Sequence, residues 1–410
     1  MAVGQIISDK NVRIVRGLHQ TVFFISLVLL FLGNALFDKK MLLFFFLANV
    51  GFLVFYRDRD LFKSSLNWIG LLALITWCAS SILWSQFPDS TRIGALEQAA
   101  VLLAGLIGGY AARYIDWELV LKNALIAVVV VNLLYMIIRP GDALSAYGVR
   151  SLYGTKNGFG LVNCYVVIIL LFSQSRRWID LVFALIAASL LVFTQSKTAI
   201  AITVILSFVL SLKTYWLGVG RVNFVKDSYF IFVFFSVVLV LLSVMLLLNY
   251  SKELLDYLFL NLAEDAFTGR GRLWIEMLRS AEHRLDFGLG YNAVWGMGDW
   301  NQVLQTSLGR NDPLWADKLA ASDGGYVDVV VAIGFYGLVI LIFALLQVFM
   351  NSIRSKSINV AFFAVIILIF HNLTETTFLM GSNLSWFFFL IVAGVVAGRD
   401  VVRERNEQET

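Results

Sequence analysis

Long runs of apolar side chains constrain this chain most, because they recur along nearly its whole length. A helix that crosses a bilayer needs about 20 largely apolar residues. Strands of a membrane barrel would be short and alternating, so helices are the reasonable spanning elements. The sequence predicts an all-α integral membrane protein with twelve spans: 20–37, 41–56, 66–84, 93–113, 118–138, 158–173, 179–195, 197–212, 229–249, 325–349, 357–378 and 383–398.

Composition agrees with a polytopic membrane protein. Of the 410 residues 59% are hydrophobic and 15% are charged, whereas soluble proteins have about 25% charged residues. The net charge is only +4 and the basic residues are spread along the chain, so nucleic-acid binding is not favoured. Cys78 and Cys164 lie within apolar runs and are predicted to be packing residues rather than a disulfide. We expect no cleavable signal peptide.

Lysine and arginine residues in the connections predict the orientation. With the N-terminus inside, the inner connections hold eighteen of them and the short outer loops hold seven. Both termini are then cytoplasmic. The predicted domains are residues 1–249 with nine spans, a large periplasmic loop at 250–324 with short amphipathic helices, and residues 325–410 with three spans and a cytoplasmic tail. Two of the loop helices are predicted within 251–265 and 271–283, from their apolar faces.

Ionisable and polar residues gather near the outer ends of the predicted spans. Such groups are costly in a bilayer and usually face a cavity. They therefore predict an outward-facing polar chamber beneath the large loop. The residues concerned are Glu97, Asp328, His371, Asn372 and Glu375. Glu375 could be a general base, a sugar ligand or the partner of an arginine, and His371 could be a satisfied interior histidine.

Two stretches suggest phosphate binding. Residues 148–160, "GVRSLYGTKNGFG", fail as a nucleotide-binding loop, because Lys156 is displaced and no Ser or Thr follows it. A plain glycine-rich helix start is the simpler alternative. In "TGRGRLWIEML", Arg270 and Arg272 flank a glycine at a predicted helix N-terminus, where two guanidiniums would suit a diphosphate. Pairing of these arginines with Glu276 or Asp265 in a solvated loop is the alternative.

Several motifs together resemble the O-antigen ligase/polymerase superfamily, and within it the exopolysaccharide-polymerase branch. They run in order from about residue 80 to 390. Each motif is weak alone, but their order and the position of the large loop are fairly specific. The stretches that carry the resemblance are "SILWSQFPDST", "LYGTKNGFG", "LLVFTQSKTAI", "FTGRGRLWIEML", "FGLGYNAVW", "GGYVDVVVAIGFYGLVI" and "NLTETTFL".

The resemblance implies a GT-C-type membrane glycosyltransferase that uses a polyprenyl-diphosphate-linked glycan as donor. It makes five basic residues candidates for binding the diphosphate and adds Asn157 to the chamber. The basic residues are Arg150, Lys156, Lys197, Arg270 and Arg272. Family members often have His-Asn before the Gly-Tyr that opens the tenth span, but this chain has Asp323 and Gly324 there. The catalytic base could therefore be Asp323, Glu375 or Glu97, or the reaction could rely mainly on stabilisation of the leaving group.

We expect a polymerase that joins lipid-linked repeat units into a surface polysaccharide or O-antigen at the bacterial inner membrane. No cofactor is expected, and metal-independent chemistry follows from the lack of histidine ligand spacing. The expected partners are the lipid-linked donor, a glycan acceptor, membrane lipids and a chain-length regulator. A ligase that transfers the glycan to a lipid A core is the first alternative. A flippase of lipid-linked sugars is the second, opposed by the lack of repeats and of paired broken helices in the sequence.

Overall fold

The computed structural model describes residues 9–33, 36–58, 60–61, 65–146, 148–173, 176–216, 269–354, 358–381 and 383–408. These residues form a mostly helical protein. Its principal helices are α1 (Asp9–Leu32), α2 (Lys39–Phe55), α3 (Ile69–Ser80), α4 (Pro88–Ala111), α5 (Trp117–Ile138), α6 (Lys156–Phe172), α7 (Trp178–Thr194), α8 (Lys197–Trp216), α9 (Arg270–Ser280), α10 (Gly325–Arg354), α11 (Ile358–His371) and α12 (Leu384–Gln408).

Each predicted span that the structure describes overlaps a helix, although several bounds differ, and the ninth span, 229–249, lies outside the described residues. Within the described part, five segments are long and apolar enough to cross a membrane, which is consistent with an all-α membrane protein. Five further apolar helices are shorter. The first helix begins at Asp9, not at residue 20, so polar residues form its first turns.

Helices α4 and α12 approach each other closely through small residues. A Cβ on Gly109 would collide with the backbone of Ile391, and one on Gly394 would collide with the carbonyl of Leu106. Gly105, one turn before Gly109, is equally close to Leu390. Small residues four apart let membrane helices pack backbone to backbone. This contact fixes the C-terminal helix against the middle of the chain.

Helix α10 is broken at Gly334, where the sequence predicted a continuous span. The break has φ 75° and ψ 178°. The loop segment 285–290 lies beside it and exchanges backbone hydrogen bonds with it: Leu289 N donates to Val331 O at 2.8 Å, and Phe335 N donates to Leu285 O at 2.8 Å. Irregular backbone inside a membrane protein needs such replacement partners. The loop segment therefore supplies hydrogen-bond partners for the backbone at the break. The sequence did not predict this break.

The eleventh predicted span, 357–378, was too long, since α11 ends at His371. The side chain of Asn372 ends the helix, because its Oδ1 accepts from the backbone N–H groups of Thr377 and Phe378, each at 2.9 Å. Glu375 consequently lies in a loop between α11 and α12 rather than within a span.

The large loop contains α9 and, further on, short helices at Gln302–Gln305, Ser307–Asn311 and Pro313–Asp317. The helix predicted within 271–283 corresponds to α9, whereas the one predicted within 251–265 lies outside the described residues. A small antiparallel hairpin, β1 (Leu144–Ser145) and β2 (Gly148–Val149), precedes α6 and was not predicted.

Candidate active site

Arg270 is the centre of a polar cluster at one end of the helices. As the first residue of α9, it follows Gly269, which caps the helix without a side-chain hydrogen bond. Its guanidinium lies 3.1 Å from a carboxylate oxygen of Asp323 and 3.1 Å from Oε1 of Glu375. A further nitrogen donates to the carbonyl of Thr374 at 2.5 Å. Arg270 thus joins the start of α9 in the large loop to the segment before α10 and to the segment after α11.

Glu375 receives a second hydrogen bond from another helix. Asn157, in the first turn of α6, donates from Nδ2 to Oε1 at 2.6 Å. Arg270 also donates to Oε1, so both of these bonds converge on one oxygen. Burial raises the pKa of the Glu375 carboxyl above its usual value, and the charge of Arg270 partly opposes the rise. A raised pKa brings a carboxylate closer to the range useful for a general base.

Asp323 lies before α10 with a left-handed backbone, φ 54°. Aspartate tolerates this conformation better than most residues. About half of its side chain is exposed (49%), against 17% for Glu375. The next residue, Gly324, packs on Trp274, where an added Cβ would lie 2.5 Å from the indole nitrogen. The glycine at this position therefore fits the tryptophan of α9.

The start of α10 is fastened to the loop after α11. Gly325 N donates to the carbonyl of Asn372 at 3.0 Å, and Gly324 N donates to Oγ1 of Thr376 at 3.1 Å. Asp328 accepts hydrogen bonds from Thr376, from Trp295 at 3.2 Å and from the backbone of Ser322 at 3.1 Å. These bonds hold the segments that carry Asp323 and Glu375 in register.

A cavity of about 370 Å³ lies beside this junction, and we call it the polar cavity. Asp328 and Thr376 line one part of it. Glu97 lines another, and its carboxylate forms an ion pair of 2.5 Å with Lys39. Of the residues predicted to face a polar chamber, Glu97 and Asp328 line this cavity, whereas Glu375, Asn157, His371 and Asn372 do not. Fully buried Asn372 and nearly buried His371 (4% exposed) lie in the supporting structure next to it.

Three of the other predicted diphosphate ligands lie at helix starts or directly after the hairpin. Lys156 and Lys197 are the first residues of α6 and α8. The residue after each lysine contacts the loop after α11: Asn157 binds Glu375, and Thr198 Oγ1 lies 2.7 Å from Oγ1 of Thr374. Arg150 donates to the carbonyl of Asp142 at 3.0 Å within its own loop.

Arg272 cannot share the direction of Arg270. Residues two apart on a helix lie roughly 200° apart around its axis. Arg270 points to Glu375 and Asp323, so Arg272, which is half-buried, projects from a different face of α9. Arg270 and Arg272 are equivalent in the sequence-based prediction, because their spacing does not show which of them contacts the carboxylates.

Sequence reasoning missed several polar residues of this region. Thr374 and Thr376 lie within the "NLTETTFL" motif and could have been found from their alternation with Glu375. Trp295 and Tyr291 come from the "FGLGYNAVW" stretch, where no pattern connected them to the spans. Tyr291 donates from its hydroxyl to the carbonyl of Leu379 at 2.7 Å, which joins the large loop to the wall of the polar cavity.

No group of three or more metal-ligating side chains is found among the described residues. In comparisons with known proteins, no family model matches the chain, and no curated protein matches it either.

Proposed function

We propose that the protein is a glycosyltransferase of the polymerase type, which joins polyprenyl-diphosphate-linked oligosaccharide units at the Arg270 cluster. The observation that supports this most directly is the position of Arg270 between two carboxylates, those of Asp323 and Glu375. A guanidinium is suited to a diphosphate leaving group, and a carboxylate beside it is suited to an attacking hydroxyl.

In the proposed reaction, a hydroxyl oxygen of the acceptor sugar attacks the anomeric carbon of the donor. The bond from that carbon to the diphosphate oxygen breaks, and the diphosphate leaves with the electron pair. The hydroxyl proton passes to a carboxylate. A single displacement inverts the anomeric centre. The leaving group is already acidic, so a cation stabilises it without a proton donor.

Glu375 is our choice for the base. The hydrogen bonds from Arg270 and Asn157 both reach its Oε1, and they orient the carboxylate so that Oε2 can accept the proton. When the diphosphate engages Arg270, its negative charge offsets the guanidinium charge that lowers the pKa of Glu375, and Glu375 becomes more basic. Asp323, which is more exposed, is the alternative base.

This chemistry would take place in a twelve-span GT-C-type protein of the bacterial inner membrane, with the Arg270 cluster on the periplasmic face. A ligase that uses the same donor differs in its acceptor. A flippase would need no carboxylate beside the cation. The lack of broken helices in the sequence argues against a transporter, and the break at Gly334 weakens that argument. The loop segment 285–290, however, is hydrogen-bonded to the broken part of α10 and replaces helical hydrogen bonds there.

The test uses the purified full chain, a lipid-linked repeat unit as substrate, and Arg270→Ala and Arg270→Lys variants. We expect Arg270→Ala to lower the rate of chain extension by about 10²–10³-fold, since one donor to the developing charge is removed. Arg270→Lys should recover part of the rate. Extension at the normal rate by Arg270→Ala protein would refute the proposed role. In a parallel reaction that also contains lipid A core, products confined to single transfers onto that core would favour the ligase.

A further inference from the structure

A second cavity, of about 450 Å³, lies between α2 and α4, and we call it the apolar cavity. Its walls are aliphatic and aromatic except at one end, where Lys39 and Glu97 stand. Leu43 and Leu103, which also line it, are about half exposed on the outer surface of the helices. The cavity is therefore an open groove with one cation at its end.

The two cavities meet at Glu97. Glu97 and Gly381 line both the apolar cavity and the polar cavity. The ion pair between Lys39 and Glu97 stands at this boundary, with 81% of the lysine side chain and 49% of the glutamate side chain exposed. Ion pairs this exposed contribute little to stability. An anion with more charge than a carboxylate can take Lys39 from Glu97 at small cost.

We propose that the apolar cavity binds the hydrocarbon chain of a second phosphate-bearing lipid, the one that carries the acceptor glycan, with its phosphate on Lys39. This inference rests on the proposed function, because a polymerase joins two lipid-linked glycans and needs two lipid sites. The apolar wall matches the chain, and the lysine ammonium matches the phosphate.

The arrangement gives the acceptor a direct path to the reaction. A lipid phosphate at Lys39 places the first sugar of the acceptor next to Glu97, in the polar cavity. Another part of that cavity is lined by Asp328 and Thr376, and Thr376 adjoins Glu375 in the chain. The acceptor glycan would thus extend through the polar cavity towards Glu375 and meet the donor at the Arg270 cluster.

The experiment measures the affinity of the purified full chain for a polyprenyl monophosphate by native mass spectrometry. Lys39→Met should weaken binding by about tenfold, as expected for loss of one charge-assisted contact. Glu97→Gln should strengthen binding, because the phosphate no longer competes for Lys39. Lys40→Met, a change of the same charge at the neighbouring residue, should bind as the unaltered protein does. A role of the ion pair in stability alone would not produce opposite shifts at Lys39 and Glu97.

A second pair of variants tests the groove itself. Ala100 lines the apolar cavity and is exposed, so Ala100→Trp should fill the groove and weaken binding. Ala73→Trp, the same substitution at an exposed alanine of α3 that does not line the cavity, is the matched control. The corresponding polyprenol and inorganic phosphate serve as further probes. Each should bind more weakly than the phosphorylated lipid, because each lacks half of the proposed contacts.

Unchanged binding in both Lys39→Met and Ala100→Trp would overturn the lipid site. That result leaves the proposed function intact if Arg270→Ala still stops chain extension. Conversely, normal extension by Arg270→Ala together with Lys39-dependent lipid binding would remove the proposed reaction and keep the lipid site.

Discussion

Charged residues in this protein occur in two settings that differ in exposure and in partners. At the candidate site, Arg270 is shared between two carboxylates that reach it from different segments. Near the opposite ends of the helices, Lys122 of α5 pairs with Asp180 of α7 at 3.2 Å, and both side chains are buried. The first arrangement can exchange a carboxylate for a ligand, whereas the second stabilises the packing of two helices.

The pH dependence of the reaction tests Glu375 as the base. Burial raises its pKa, so the carboxylate takes up a proton at a higher pH than an exposed glutamate does. As the pH falls through that raised pKa, the reactive carboxylate is lost and the rate of chain extension should fall. Glu375→Gln should lower the rate by about 10²–10⁴-fold and abolish this acidic limb. An unchanged acidic limb in Glu375→Gln, measured by initial rates, would transfer the role to Asp323.

The buried pair predicts a large loss of stability when one partner is removed. Asp180→Leu leaves the Lys122 ammonium without its carboxylate inside the helix bundle, which should cost about 3–5 kcal/mol. The double variant Lys122→Met, Asp180→Leu removes both charges of the pair and should recover part of that loss. The rest remains lost because Arg177, which also donates to the Asp180 carboxylate, still lacks its partner. Unfolding in detergent measures both.

The exposed pair of Arg139 and Asp142, 3.6 Å apart, supplies the control for that prediction. Asp142→Leu should change the free energy of unfolding by no more than about 1 kcal/mol. Equal losses in Asp180→Leu and Asp142→Leu would contradict the importance of burial.

At the residue scale, the sequence identified the types of group better than their partners. Glu375 is predicted from its position near a span end, Arg270 from a helix N-terminus, and Asp323 from the resemblance. That Arg270 meets both carboxylates depends on how α9 docks against the segments next to α10 and α11. Asp323 is about 50 residues from Arg270 in the chain, and Glu375 is about 100 residues from it. Neither local propensity nor hydropathy contains that information.

At the scale of elements, hydropathy located the helices but not their interruptions. Each predicted span in the described residues overlaps a helix, because a 20-residue apolar run has few other options in a bilayer. The end of α11 at His371 and the break in α10 at Gly334 were missed. Each depends on a particular replacement for helical hydrogen bonds: the Asn372 side chain in one case and the loop segment 285–290 in the other.

The break in α10 makes Gly334 sensitive to the smallest side chain. Its φ of 75° is strained for other residues, and an added Cβ would lie 2.5 Å from the carbonyl carbon of Asp286. Gly334→Ala should therefore destabilise the protein by at least about 2 kcal/mol and loosen the loop. Thermal unfolding and protease sensitivity of the loop measure these effects.

Gly51, inside α2, has open space around its Cα and provides the control. Gly51→Ala should be neutral or stabilise the protein by about 0.5–1 kcal/mol through helix propensity. A Gly334→Ala variant as stable as Gly51→Ala would show that the break is not required.

For the whole molecule, the charged clusters lie at two opposite ends of the helices. The Arg270 cluster gathers the first residues of α6, α8 and α9 with the loop after α11. The other end holds the buried ion pair of Arg113 and Asp58, at the ends of α4 and α2. Successive helices run in opposite directions, so the chain segments between them lie alternately at one end and at the other. The order of the predicted spans therefore predicts that the two charged clusters lie at opposite ends. Which end faces the cytoplasm depends on the distribution of lysine and arginine and stays a prediction.

That prediction can be tested by labelling introduced cysteines in intact cells. The native Cys78 and Cys164 are both fully buried, so background labelling should be low. Gly154 precedes α6 and is exposed, at the same end as the Arg270 cluster, and Asp116 precedes α5 at the opposite end. If the excess of basic residues orients the chain as expected, a membrane-impermeant maleimide should label Gly154→Cys in intact cells. Asp116→Cys should be labelled only after permeabilisation. The reverse pattern would place the Arg270 cluster on the cytoplasmic side and would contradict a polymerase that acts in the periplasm.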